Sequence, residues 1–217
     1  MNVDLHRLIR KDCSAETLKN HLVADPTLIY QRMEGQTPLH TAVMAGRSGL
    51  VHFLVKTYPD LVHTADEKGF TPLHLVGHSL FSNSKDDQLV ASLAATLLEA
   101  GASVERRNNR GQTPLLTLSL RSNELPGLLE CHRAMLHAGA DPNAADQDGR
   151  TYLHYIAEES GVWAPLKIIG ILREAGASLV ARDKDGKTAH DLCWQPQRCC
   201  YQERRQRVAD ALQPGAD

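Results

Sequence analysis

An internal spacing constrains this chain more than any other feature. The tripeptide Gly-x-Thr occurs at Gly35, Gly69, Gly111, Gly149 and Gly186, with gaps of 34, 42, 38 and 37 residues. The threonines open Thr37-Pro38-Leu39-His40, Thr71-Pro72-Leu73-His74, Thr113-Pro114-Leu115-Leu116, Thr151-Tyr152-Leu153-His154 and Thr188-Ala189-His190-Asp191. A Gly-Ala pair at Gly101, Gly139 and Gly176 precedes the next Gly-x-Thr by ten residues each time. Self-similarity at such a period means stacked supersecondary units, none of which can bury its apolar face alone. One half of the unit is rigid in length. The other half, from threonine to Gly-Ala, measures 30, 26 and 25 residues in the second, third and fourth units.

Within that variable half, apolar residues recur at helical spacing, as in Leu89, Val90, Leu93, Leu97 and Leu98. Pro126 and Pro165 stand where a second helix would begin, a position that needs no backbone donor. Each unit therefore reads as helix, turn, helix, glycine stop and a ten-residue extended excursion. With Thr37-Pro38-Leu39-His40-Thr41-Ala42, and with Gly139-Ala140-Asp141-Pro142-Asn143-Ala144 leading to Gly149, the chain resembles an ankyrin-repeat protein along essentially its whole length. The resemblance implies an all-α fold, an α-solenoid of helix-turn-helix repeats with hairpin tips and insertions between the helices. It implies a degenerate capping repeat over residues 1–34, four repeats over 35–185 starting at 35, 69, 111 and 149, and a C-terminal cap over 186–217. Asn143 lies in a hairpin resembling those hydroxylated in some members of that family.

Composition narrows the class of partner. Formal net charge is −2 from 24 basic and 26 acidic residues, so no global field draws the chain to nucleic acid or anionic lipid. No apolar run reaches the roughly 18 residues of a membrane span, and Asp4 and Arg7 interrupt the place of a signal-peptide core. Five cysteines without an even framework point to free thiols in a reducing, cytoplasmic setting. Aromatics are only 5%, so the core must come from Leu, Ala, Val and Ile.

Chemistry finds little foothold. His40, His74 and His154 share one repeat position and cannot converge; each is placed to bond its own threonine and the next loop. His190, Cys193, Cys199 and Cys200 hold four zinc-type donors, but without a C-x-x-C, and small buried thiols explain them better. The Asp-x-Asp-Gly runs at Asp146 and Asp183 lack calcium-ligand spacing and suit turns. No phosphate loop or nucleophile elbow is present. A non-enzyme without cofactor or bound metal is expected.

The resemblance places partner contacts on a concave face of hairpin tips and inner-helix ends. Met33, Met44, Lys68, Phe70, His78, Arg110, Leu120, Arg121, Arg150, Glu158, Glu159 and Trp194 are the expected contacts. The arginines facing Glu158 and Glu159 would polarise this groove. A second ridge would carry Phe81 and Trp163 in the enlarged inter-helix segments. The expected function is recognition of a protein partner by a chain that is monomeric when free. Its rivals are an inhibitor or immunity-type protein that occludes a toxin or effector enzyme, and, more distantly, a metal enzyme built on residues 190–200. Nucleic acid is disfavoured, because the basic tip at Arg106, Arg107 and Arg110 adjoins the acidic one at Asp146 and Asp148.

Overall fold

The computed structural model describes residues 3–11, 13–78, 88–118, 126–159, 165–194 and 202–215. In chain order the α-helices are α1 (Leu5–Arg10), α2 (Ala15–Ala24), α3 (Pro38–Met44), α4 (Ser48–Thr57), α5 (Gln88–Glu99), α6 (Pro114–Leu118), α7 (Pro126–His137), α8 (Tyr152–Glu159), α9 (Leu166–Glu174), α10 (Ala189–Leu192) and α11 (Gln202–Ala211). The inner element of the second marked unit, Pro72–His78, is a 3₁₀ helix rather than the expected α-helix. Two rows form. Along the inner row α1 packs on α3, α3 on the 72–78 turn, that turn on α6, and α8 on α10. Along the outer row α2, α4, α5, α7, α9 and α11 each pack on the next. The only β-type pairing among the described residues is the single bridge between Met33 and Gln36. The fold is an all-α solenoid.

Local chemistry explains the inner-helix starts. Thr37 caps α3 through Oγ1, the His40 ring returns a bond to the Thr37 amide, and Pro38 takes the position where no donor is required. Thr188 and Asp191 form the same reciprocal box at α10. The buried faces then stack: Leu39, Val43, Leu73, Val76, Leu115, Leu118, Leu153 and Ile156 from the inner row, and Leu54, Leu97, Met135 and Leu172 from the outer. Each such side chain contributes about 1.5–3 kcal/mol of burial, so adjacent units, not single ones, hold the fold.

Outer helices end in two ways. Gly101, Gly139 and Gly176 adopt left-handed backbone after α5, α7 and α9, and the following alanine amides bond back to Leu97, Met135 and Leu172. After α2 and α4 the stop is a proline instead. Asp25 and Tyr58 leave helical geometry ahead of Pro26 and Pro59, and two 3₁₀ turns, Pro26–Tyr30 and Pro59–His63, follow. Leu28, Ile29, Leu61 and Val62 on those turns are buried, which shows why these two units lack the Gly-Ala marker.

The first hairpin tip is one residue tighter than the others. Met33 and Gln36 exchange both backbone bonds across Glu34 and Gly35, whose φ angles are 54° and 74°. That is a two-residue turn in which both central residues need left-handed backbone, and glutamate is a poor occupant. Glu34→Asn is expected to raise stability by roughly 0.5–1 kcal/mol. A urea midpoint no higher than wild type, at equal slope, would contradict this reading of the turn.

Candidate functional site

The candidate site is the face formed by successive hairpin tips and inner-helix ends. Each full tip is closed by an Asx residue three positions before its glycine. Asp66 Oδ1 accepts from the amides of Lys68 and Phe70, Asp146 from Asp148 and Arg150, and Asp183 from Asp185 and Lys187. Asn108 does the same for Arg110 and Gln112. Neighbouring tips are then tied backbone to backbone: Asn109 N donates to Lys68 O at 3.0 Å, Gln147 N to Arg110 O at 3.1 Å, and Lys184 N to Asp148 O at 2.9 Å. A rigid, stepped edge results.

Beneath the tips runs a histidine ladder. The Nδ1 atoms of His40, His74 and His154 accept the amides of Thr37, Thr71 and Thr151, which places the ring proton on Nε2. From there each ring donates to the residue before the next threonine: Phe70 O at 2.9 Å, Gln112 O at 3.1 Å and Lys187 O at 3.1 Å. Burial holds His40 and His74 down at about 4. These rings are structural ties between repeats.

At the third junction the ladder is replaced. Leu116 occupies the histidine position and has no ring nitrogen to reach the next tip. Two other links serve there. Gln112 Nε2 donates to Tyr155 Oη, whose hydroxyl donates to Asp146 Oδ2 at 2.6 Å. Burial, then the bond to Asp146, pushes Tyr155 up to about 12. The second link joins the outer row to the inner: His132 Nδ1 donates to Leu128 O, so Nε2 accepts from Tyr152 Oη at 2.5 Å. His132 and Tyr152 are both buried, and burial brings His132 to about 4. Sequence reasoning did not assign Gln112, His132, Tyr152 and Tyr155 to this link. The available signal was the pair of motif departures, Leu for His at 116 and Tyr for Pro at 152, flanking the same junction. Tyr152→Phe strands the buried His132 nitrogen, so it should cost about 1–3 kcal/mol. A Tm within a degree of wild type would show that the hydroxyl is not the link.

The expected contact residues distribute unevenly. Lys68, Arg110 and Glu159 are exposed, and Trp194 is 49% exposed just past α10. Arg150 and Glu158 are half-buried and paired to each other at 3.1 Å. Phe70, taken from the sequence as an exposed anchor, is half-buried; its ring meets His74 edge-on at 5.7 Å and packs on the core. The ring turns back toward the inner element of its own unit rather than out to solvent, which spacing alone does not reveal. Met44 is likewise half-buried against the core, and Met33 is half-buried in the tight first tip. His78 ends the 72–78 turn. Leu120 and Arg121, and Phe81 and Trp163 of the second ridge, lie outside the described residues.

Of the zinc-type cluster, His190 is half-buried and Cys193 is buried with its thiol on Ala189 O, while Cys199 and Cys200 lie outside the described residues. No group of three or more His, Cys, Asp or Glu side chains among the described residues is placed to share a metal ion. Cys131 is fully buried, which pushes its thiol up to about 12 and away from the reactive thiolate. Asn143 spends its amide on the next repeat, donating to Gly176 O and accepting from Ser178 N.

Known proteins are similar to this chain in sequence or in fold. The ankyrin repeat family model matches residues 34–63. A human ankyrin repeat and SOCS box protein 6 is 35% identical over 121 residues, covering 55% of this chain and 26% of that protein. The chicken nuclear factor NF-kappa-B p105 subunit is 28% identical over 180 residues, covering 80% of this chain and 17% of that protein. Mouse NF-kappa-B inhibitor delta is 32% identical over 132 residues, covering 60% and 36%. The chain thus spans a minor part of these curated relatives. Among solved structures, an ankyrin repeat domain from Acinetobacter baumannii superposes with a TM-score of 0.72 at 24% identity, covering 96% of this chain and 95% of that one.

Proposed function

Because this chain is an ankyrin-repeat protein, we propose that it recognises a specific protein partner through the concave face of its hairpin tips and inner-helix ends, without chemistry of its own. Ankyrin repeats mediate protein–protein interaction in general, and the observation that carries the reading here is Trp194. A large aromatic left 49% exposed at the end of the inner row is what binding anchors require. Glu159, exposed beyond the Arg150–Glu158 pair, supplies an adjacent charge.

A narrower reading is occlusion of an enzyme or effector. The mouse relative's name marks that protein as an inhibitor, and a chain built only to cover a partner needs no more than such a face. We place the protein in the cytoplasm as a monomer when free. Among the described residues no disulfide joins Cys13, Cys131 or Cys193, which fits a reducing compartment, and no helix is long and apolar enough to cross a membrane.

The test is affinity capture from the source cell's extract with wild type and with Trp194→Ala/Glu159→Ala, both checked for unchanged circular dichroism. A stoichiometric protein retained by wild type and lost from the variant supports the concave face. Equal retention by both moves the site to the Phe81 and Trp163 side. An activity assay of the captured partner then separates occlusion from scaffolding.

A further inference from the structure

Side-chain pairing along the tips is unequal, and the inequality has chemical content. On the fourth and fifth tips several charges are paired, although Asp185 and Lys187 are exposed without an ion pair among the described residues. Lys184 Nζ meets Asp148 Oδ1 at 2.6 Å, Arg150 meets Glu158 at 3.1 Å, and Asp146 takes the Tyr155 hydroxyl. Arg182 and Arg107 are spent on carbonyl oxygens, Arg182 on Gly186 and Arg107 on Gly111 and Ala145. The second and third tips differ. Lys68 and Arg110 each stand immediately before the tip glycine, on hairpins bonded directly through Asn109 N and Lys68 O. Arg106 is on the arm of the same third hairpin. All three are exposed, and none has a carboxylate within ion-pair distance among the described residues.

Resting on the protein-recognition reading above, we propose that tips two and three receive an acidic segment of the partner protein, its carboxylates seated on Lys68, Arg106 and Arg110. The chemistry favours carboxylates of a peptide over a phosphate backbone. A nucleic acid tracks a continuous positive stripe, whereas the next step along this edge presents Asp148, Glu158 and Glu159. Asp148 and Glu158 already engage Lys184 and Arg150 there, so no cation is offered to a polyanion that continues past tip three, and the exposed Glu159 ends the acidic register. A segment of about two to four acidic residues spans two neighbouring tips, since stacked helices lie about 8–10 Å apart and an extended chain advances about 3.3 Å per residue. The pre-bonded tips hold the cations in place, which lowers the ordering cost of the contact.

The probe is a fluorescein-labelled peptide, Gly-Ser-Glu-Asp-Glu-Asp-Ser-Gly, followed by fluorescence anisotropy at 20 and 150 mM salt. Its Gly-Ser-Lys-Arg-Lys-Arg-Ser-Gly counterpart and a twelve-nucleotide oligothymidine serve as controls. Saturable binding of the acidic peptide is expected, weakened at least tenfold by Lys68→Glu/Arg106→Glu/Arg110→Glu and at least threefold by the higher salt. Binding of the basic peptide or the oligonucleotide as tightly as the acidic one overturns the proposal, as does acidic-peptide binding that the triple variant leaves unchanged. Capture of the cellular partner separates the two readings. A partner lost from the Trp194→Ala/Glu159→Ala variant but held by the folded triple charge variant keeps the concave face and refutes the acidic segment. A partner held by both variants refutes the face itself.

Discussion

Acidifying the protein from pH 7 to pH 5 should remove most of its stability. His40, His74 and His132 are each held near 4 in the folded chain, with burial as the leading cause, against an unfolded value near 6.5. In that window the unfolded chain binds more protons than the folded one, so stability rises with pH there. The contribution is complete above about 6.5 and is lost as pH falls toward 4. Each ring is worth about 2 kcal/mol of loss at pH 5, so the three together approach about 6 kcal/mol, comparable to the whole stability of an ordinary domain. The groups facing the rings do not reverse the sign. Asp66 favours the charged form of His40 and His74, Arg32 and His6 oppose it at His40, and His40 opposes it at His74. Around His132 stand the Leu128 carbonyl, the Tyr152 hydroxyl and the neutral Cys131 thiol. His6, bonded to Thr41 and the Gln31 carbonyl, is lowered in the same direction. Urea midpoints measured from pH 7.5 to 4.5 check this. A flat profile through that range would show that the ladder accepts protons without breaking its bonds.

Gly69→Ala should be far more damaging than Gly186→Ala, its mild control in the tips. Both glycines have left-handed backbone, at φ 80° and 74°, so both substitutions carry about 1–2 kcal/mol of conformational cost. Their surroundings differ. A Cβ at Gly69 would sit 2.8 Å from the Asn109 amide nitrogen and 3.0 Å from the Asn108 Cα, backbone atoms of the next tip, whereas nothing lies within 4 Å at Gly186. The tips must part to admit the methyl at 69, breaking the Asn109–Lys68 bond and exposing the repeat interface below. A loss of 3 kcal/mol or more is expected at 69, about twice the loss at 186. Equal losses at the two positions would mean that tip stacking carries no energy and that the glycines matter only for their own backbone.

The glycine and threonine spacing made the repeat fold legible because its signals are local. An Asx turn closes over two to four residues, a Thr-x-x-His box over three, and a glycine stop bonds within its own last turn. Such contacts fall inside the spacing that a sequence displays, and the Gly-x-Thr marker at five positions set their register. The two proline stops at Pro26 and Pro59 use equally local chemistry. They escaped notice because their backbone solution differs from the Gly-Ala form.

What the tertiary structure alone decided lies between repeats. Phe70 became a half-buried ring set edge-on to His74 and packed on the shared core that the stacked units build. At the third junction His132 and Tyr152, twenty residues apart, and Gln112 and Tyr155, forty-three apart, supply the link that Leu116 cannot. Among the described residues Lys68, Arg106 and Arg110 have no carboxylate within ion-pair distance while Arg150 and Lys184 are paired, a difference that composition does not contain. By itself, then, the sequence determined the unit, its caps and its turns, since these are bonds within a few residues. Which side chains bridge one unit to the next, and which remain free to meet a partner, was decided only when stacking brought together residues twenty to forty positions apart.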